Sequence, residues 1–229
     1  MKKTSLRLLF ACSAPLLLAS CALITESLVT PERIANLPEP MGSEMLQLKN
    51  DQAAALAAVA APYAQGSKLM LKAYSTLADA VGMKKQAAAL MAESDALHAG
   101  SSIGEARNAM SRSVENIQEV RNQISSAKGV PAVSKSKFVE GVQLRNQAYL
   151  VYVNLIIDAV KKANMATKAA KEAGPLEKAI LTTQMDSFLI IMKELPELNK
   201  FLTQEKAFHE VCKNYAKEQD ISLPPIPIK

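Results

Sequence analysis

Apolar residues recur along this chain at helical spacing, with no useful run of the alternation that marks a half-buried strand. Met45, Leu46, Leu48, Ala53, Leu56 and Val59 form a first stripe, beginning at Glu44 with Ser43 placed to cap it. Pro62 lacks an amide donor and crowds the turn before it, which predicts a kink or break; Gly66 would loosen the next turn. Helical spacing resumes through Leu69, Ala73, Leu77 and Ala80 and stops near Gly82. A further face runs from Met83 through Ala87, Leu90, Met91, Ser94 and Leu97 to about His98. Beyond the turn Ala99-Gly100-Ser101-Ser102, Ser102 and Glu105 make a capping-box pattern, in which each side chain satisfies the other residue's amide. A heptad follows. Ile103, Met110, Ile117 and Ile124 occupy one core position, and Ala106, Ser113, Val120 and Ala127 the other. Arg107, Arg112, Glu115, Glu119 and Arg121 fall on the remaining faces, and Gly129 with Pro131 ends the helix.

Helix resumes near Ser134 or Ser136 and runs to Gly174. Its middle, Ala148 to Val160, is apolar nearly all round, which predicts burial on every face. That run contains Asn154 and Asp158 and falls short of the roughly twenty residues of a membrane span. Pro175 suits the first turn of the next helix, whose apolar centre is Phe188 to Met192. The two apolar centres lie at similar distances from Gly174, so an antiparallel hairpin sets them side by side. Pro196 predicts a second kink, with helix returning through Leu198 to about Lys217. Pro224, Pro225 and Pro227 make the end of the chain extended. The expected fold is all-α: an elongated antiparallel bundle of about five or six helices over residues 43–218, followed by a tail over 219–229.

The N-terminus has a different pattern. Lys2, Lys3 and Arg7 precede the apolar run Leu8 to Leu18, which is too short to cross a bilayer, and small residues follow. This is the layout of a secretory signal over residues 1–20. Its end, Leu18-Ala19-Ser20-Cys21, resembles the lipobox of bacterial lipoproteins. The resemblance covers the first 21 residues and implies cleavage before Cys21, with diacylglycerol and an acyl chain such as palmitate carried by Cys21. Ala22, in place of an aspartate, implies sorting to the outer membrane, with the body facing the periplasm. Residues 21–42 contain Pro31, Pro38 and Pro40 and read as a tether that could reach roughly 60 Å if extended. Leu28, Val29 and Ile34 could instead strap that segment to the body.

Charge alters the picture little. The chain carries a formal +5, but Lys2, Lys3 and Arg7 leave with the signal, so the mature protein is near balance. No basic run longer than a Lys-Lys pair remains, which argues against a nucleic-acid partner. Of the three cysteines, Cys12 leaves, Cys21 is acylated and Cys212 is left alone. A disulfide scaffold is excluded, and Cys212 reads as a small buried residue.

Candidate chemistry is sparse. Glu205, His209 and Cys212 follow one another at i, i+4 and i+7, a spacing that could aim three metal ligands one way. Phe208 and Val211 mark the same stretch as a packing face, and no metal is assigned. Asp95 with His98 is a poorer pair. There is no paired Glu-x-x-His, haem box, Gly-x-Ser-x-Gly elbow or glycine cradle. Asn154 and Asp158, one turn apart, are expected to bond neighbouring helices and fix register, with Lys161 or Lys162 pairing with Asp158. Alternatively they line a polar spot in a cavity. Tyr149 and Tyr152 read as amphipathic core residues. No catalytic residue and no cofactor is assigned. The expected function is a non-enzymatic interaction or scaffolding module of the cell envelope, with membrane lipid at Cys21 and an envelope protein as partners. The alternative is a carrier of a small apolar ligand or lipid between helices around Tyr149 to Val160.

Overall fold

The structure is a computed structural model that describes residues 41–126, 134–172 and 174–223, with side chains over 57–126, 134–161 and 196–223 and at 174 and 193. Among the described residues, helical spacing becomes six α-helices and no strand occurs. They are α1 (Met41–Ala80), α2 (Lys84–Ala96), α3 (Ile103–Arg112), α4 (Val114–Ser126), α5 (Lys135–Glu172) and α6 (Pro175–Glu218). The signal segment, Cys21 and nearly all of the expected tether lie outside the described residues. So do the Gly129–Pro131 stop, residues 224–229 and the side chains of Phe188 to Met192.

Both internal prolines are carried inside helices. Pro62 lies within α1 and Pro196 within α6, so neither ends its helix. An internal proline removes one hydrogen bond and costs about 3 kcal/mol, which a long packed helix can absorb. Val59, Tyr63 and Ala64 are buried around the first, and Leu198 and Leu202 just beyond the second. The helix begins at Met41, so Ser43 lies inside it and is no cap.

Where the chain does turn, backbone chemistry explains it. Gly82 takes a left-handed conformation, φ 82°. Met83 N–H bonds Ala78 O at 2.8 Å and Gly82 N–H bonds Asp79 O at 3.2 Å, the paired bonds of a Schellman motif. The end of α6 repeats it with Asp220 (φ 52°): Ile221 N–H bonds Ala216 O at 2.8 Å and Asp220 N–H bonds Lys217 O at 3.4 Å. Ile221 and Leu223 then pack on the core, so the start of the expected tail folds back onto the body. The capping box forms: Ser102 N–H bonds Glu105 Oε2 at 2.7 Å, and Glu105 N–H bonds Ser102 Oγ at 3.2 Å. The heptad helix is in fact two, α3 and α4, parted at Ser113, whose hydroxyl bonds Ala109 O at 2.9 Å. The stripe survives the break, since Ala106, Ser113, Ile117, Val120 and Ile124 are all buried.

The chain divides into two units, residues 1–55 with 164–187, and residues 56–163 with 188–229. In the first, the backbone is helical over 41–55, 164–172 and 175–187. In the second, contacts define the register. Gly66 faces the ring of Tyr152 and Gly141 faces Leu77, so α1 and α5 run antiparallel. A Cβ on Gly66 would sit 3.1 Å from that ring, so this glycine permits close approach rather than loosening a turn. Phe138 packs on Tyr215 and Tyr152 on Phe201, with ring centroids 5.0 and 5.8 Å apart, so α5 and α6 are also antiparallel. Ser75 Oγ donates to Ala87 O at 2.7 Å and Ser94 Oγ to Lys68 O at 3.0 Å, joining α1 to an antiparallel α2. Gln86–Glu119 and Glu93–Arg112 contacts place α3 and α4 along α2.

One burial expectation fails. Of the run Ala148 to Val160, only Ala148, Tyr152, Leu155 and Ala159 are buried, whereas Ile157 is 56% exposed. Asn154 and Asp158 are exposed too. Here α5 is backed by α1 and α6 along part of its circumference, and the remainder faces solvent. Among the described residues, no helix is long and apolar enough to cross a membrane.

Candidate functional site

The helix face carrying Glu205, Phe208, His209 and Cys212 is buried, as its spacing implied. The carboxylate of Glu205, however, is committed to arginine. Arg145 on α5 donates from Nε to Glu205 Oε2 at 2.6 Å and from Nη2 to the Glu205 carbonyl at 2.5 Å. Arg121 on α4 donates from Nη2 to Oε1, and Tyr74 on α1 donates its hydroxyl to the same oxygen at 2.8 Å. Arg121 Nε in turn donates to the Tyr74 hydroxyl at 2.7 Å. Four helices therefore meet on one carboxylate.

Aromatic rings complete the cluster. Tyr74 and Phe208 stack with centroids 5.7 Å apart and planes 18° from parallel. The Arg121 guanidinium lies 5.4 Å from the Tyr74 centroid and 5.5 Å from that of Phe208, and Arg145 lies 5.3 Å from Phe208. Burial, then the charge of Glu205, pushes the Tyr74 phenol well above its usual range, so it remains a donor. Burial lowers the His209 imidazole to about 4, with Arg145 adding to the effect, and raises the Cys212 thiol to about 12. At neutral pH both are uncharged, and His209 Nδ1 has no hydrogen-bond partner among the described residues. Two guanidinium groups thus face one carboxylate.

A cavity of about 480 Å³ lies beside this cluster, between α3–α4 and α6. Tyr63, Tyr152 and Phe201 form one wall, with the Tyr152 ring edge-on to both others at 5.8 Å. Ser67 fixes Tyr152: its Oγ donates to Tyr63 O at 3.0 Å, leaving the oxygen to accept from the Tyr152 hydroxyl at 2.7 Å. Met110, Ile117 and Leu198 add apolar surface, and Arg121 reaches this wall with its side chain 14% exposed. Val114, Gln118 and Gln204 stand exposed at the rim, together with Glu197 and Arg107.

The expected site residues fare unevenly. The structure brings Glu205, His209 and Cys212 onto one face, but among the described residues no three such side chains group to hold a metal ion. Asp95 and His98 are exposed, and His98 Nδ1 accepts from Gly100 N–H at 3.2 Å. Asn154 and Asp158 border a recess of about 200 Å³ between α1 and α5 with Val59 and Pro62, as in the alternative expectation, so they do not fix register from inside the core. The Arg145–Glu205 and Ser67–Tyr152 contacts take that part. Tyr152 is a core residue, as expected, and also lines the cavity beside Arg121; Tyr149 borders an outer groove of about 500 Å³ with Ile157. Cys212 is free and buried. Arg121, placed by the heptad on an outer face, instead reaches inward.

Arg145 was missed outright. Its signal is the spacing Phe138, Arg145, Tyr152, Ala159, in which one charge occupies an apolar seam at intervals of seven. Leu198, Glu205, Cys212 is the complementary seam on α6. No protein-family model, curated protein or solved structure matches the chain.

Proposed function

We propose that this chain is a lipid-anchored protein of the bacterial cell envelope, held at the outer membrane by acylated Cys21, whose helical body faces the periplasm as a non-enzymatic interaction or scaffolding module. Leu18-Ala19-Ser20-Cys21, directly after a short apolar run with a basic start, is the observation that carries this reading. Two or more acyl chains on one residue hold a protein to a bilayer stably, whereas a single chain does so only marginally. The body supports the reading through a surface that offers recognition: exposed Val114 beside the rim of one cavity and exposed Ile157 in a second groove.

The test is palmitate labelling and crosslinking in intact cells, with Cys21→Ala alongside. Label on the wild type alone, and a discrete protein partner lost with the anchor, are the expected results. Equal labelling of the variant, or crosslinks only to abundant neighbours unchanged by the substitution, would contradict the proposal. The cavity favours a second reading, carriage of a small ligand. Its volume falls within the range of about 300–1,000 Å³ usual for small-molecule sites, and aromatic and aliphatic side chains dominate its walls.

A further inference from the structure

The cluster around Glu205 is not electrically balanced. Arg121 and Arg145 are both cationic, Glu205 is the acid that both meet, and His209 and Cys212 are uncharged at neutral pH. Among the described residues, one positive charge is left in excess within this cluster. Contacts with the faces of Tyr74 and Phe208 return only part of what an ion loses on leaving water. The excess also has an outlet. Arg145 is enclosed, but Arg121 forms part of the cavity wall. Its Nε and Nη2 serve Tyr74 and Glu205, while Nη1 makes no hydrogen bond among the described residues. A guanidinium presents five donors in a fixed fork, and an unused edge suits a carboxylate.

The remaining walls are apolar and aromatic, so the complementary occupant has an acid head and an apolar body. We infer that the cavity between α3–α4 and α6 binds a monoanionic amphiphile, a carboxylate with an aliphatic chain, its head on Arg121 and its chain against Tyr63, Tyr152 and Phe201. A single negative charge matches the single excess positive one. This inference rests on the ligand-carrying reading and names the ligand class.

The experiment is calorimetric titration of the full chain, produced with Cys21→Ser so that no acyl group of its own competes, using decanoate, decanol and decylamine below their aggregation limits. The expected result is decanoate tighter than decanol by at least about tenfold, as a charge-assisted bond implies, and decylamine weakest. Val114→Trp, an exposed rim position, should abolish decanoate binding while circular dichroism shows the helices intact. Arg121→Gln should remove the preference for decanoate; where that variant does not fold, Val114→Trp still locates the site. Equal binding of decanoate and decanol would overturn the acid-head inference and leave a neutral carrier. Binding of none of the three would overturn both. Undiminished binding by Val114→Trp would place the site elsewhere and overturn this assignment.

Discussion

Arg112 and Arg145 both pair with a glutamate on another helix, yet they sit in opposite environments. The Arg112 side chain is 59% exposed where it reaches Glu93 from α3 to α2, and it can exchange its partner for water at little cost. Arg145 is 3% exposed where it reaches Glu205, and water cannot replace what it would lose. The surface pairs involving Arg112 and Asp79 decorate a packing that apolar contacts already determine. The Glu205 cluster ties α1, α4, α5 and α6 to one register, because any slip would strand charge in a poorly hydrated interior.

Removing the acid should have the largest effect. Glu205→Gln leaves two buried guanidinium groups facing a neutral amide, and urea unfolding should show a loss of about 3–5 kcal/mol. A loss as small as that of a surface pair would erase the distinction. Next comes backbone proximity in the same unit. A Cβ at Gly141 would sit 2.7 Å from Leu77 Cγ and 3.1 Å from its backbone nitrogen, so Gly141→Ala should cost about 1–3 kcal/mol through overpacking. Gly66→Ala should cost less by the same measurement, since its neighbour is a ring at 3.1 Å rather than backbone and branched carbon.

A pH series sharpens the contrast further. His209 is lowered to about 4 from 6.5, so between those values the unfolded chain binds a proton that the folded chain refuses. Its contribution to stability is present above pH 6.5 and is lost as pH falls toward 4. Thermal melts from pH 7 to pH 5 should show a falling Tm, with a shallower slope in His209→Gln. An identical slope would show that the imidazole is hydrated. The smallest effect belongs to the surface. Lys137, then Lys84, holds the Asp79 carboxyl below its usual range, yet Asp79→Asn should cost no more than about 1 kcal/mol, and less in high salt.

Local chemistry was legible in the sequence, and tertiary chemistry much less so. The Ser102–Glu105 box, the turn at Gly82 and the start at Pro175 each depend on residues within a few positions of one another. The heptad of α3 and α4 was legible as well, because a repeated spacing states which face is covered. Pro62 does not break its helix, because local propensity omits the packing that holds a long helix together. Arg121 misled for a related reason. It lies one position outside the heptad seam, and only the approach of Tyr74 and Glu205 draws it inward. Glu205 and its neighbours were correctly placed on one face, but a metal and an arginine make the same demand of a carboxylate. Only the fold brings Arg145 from sixty positions away to decide between them.

Among the described residues, the Glu205 cluster carries one positive charge more than its acid balances. Urea unfolding of Glu205→Gln against Arg145→Met, measured side by side at pH 7 and low salt, tests it most directly. Losing Arg145 leaves Arg121 and Glu205 as a matched pair, whereas losing Glu205 leaves two cations unanswered. Glu205→Gln should be the more destabilising by at least about 1 kcal/mol. Equal losses, or a larger loss from Arg145→Met, would contradict it.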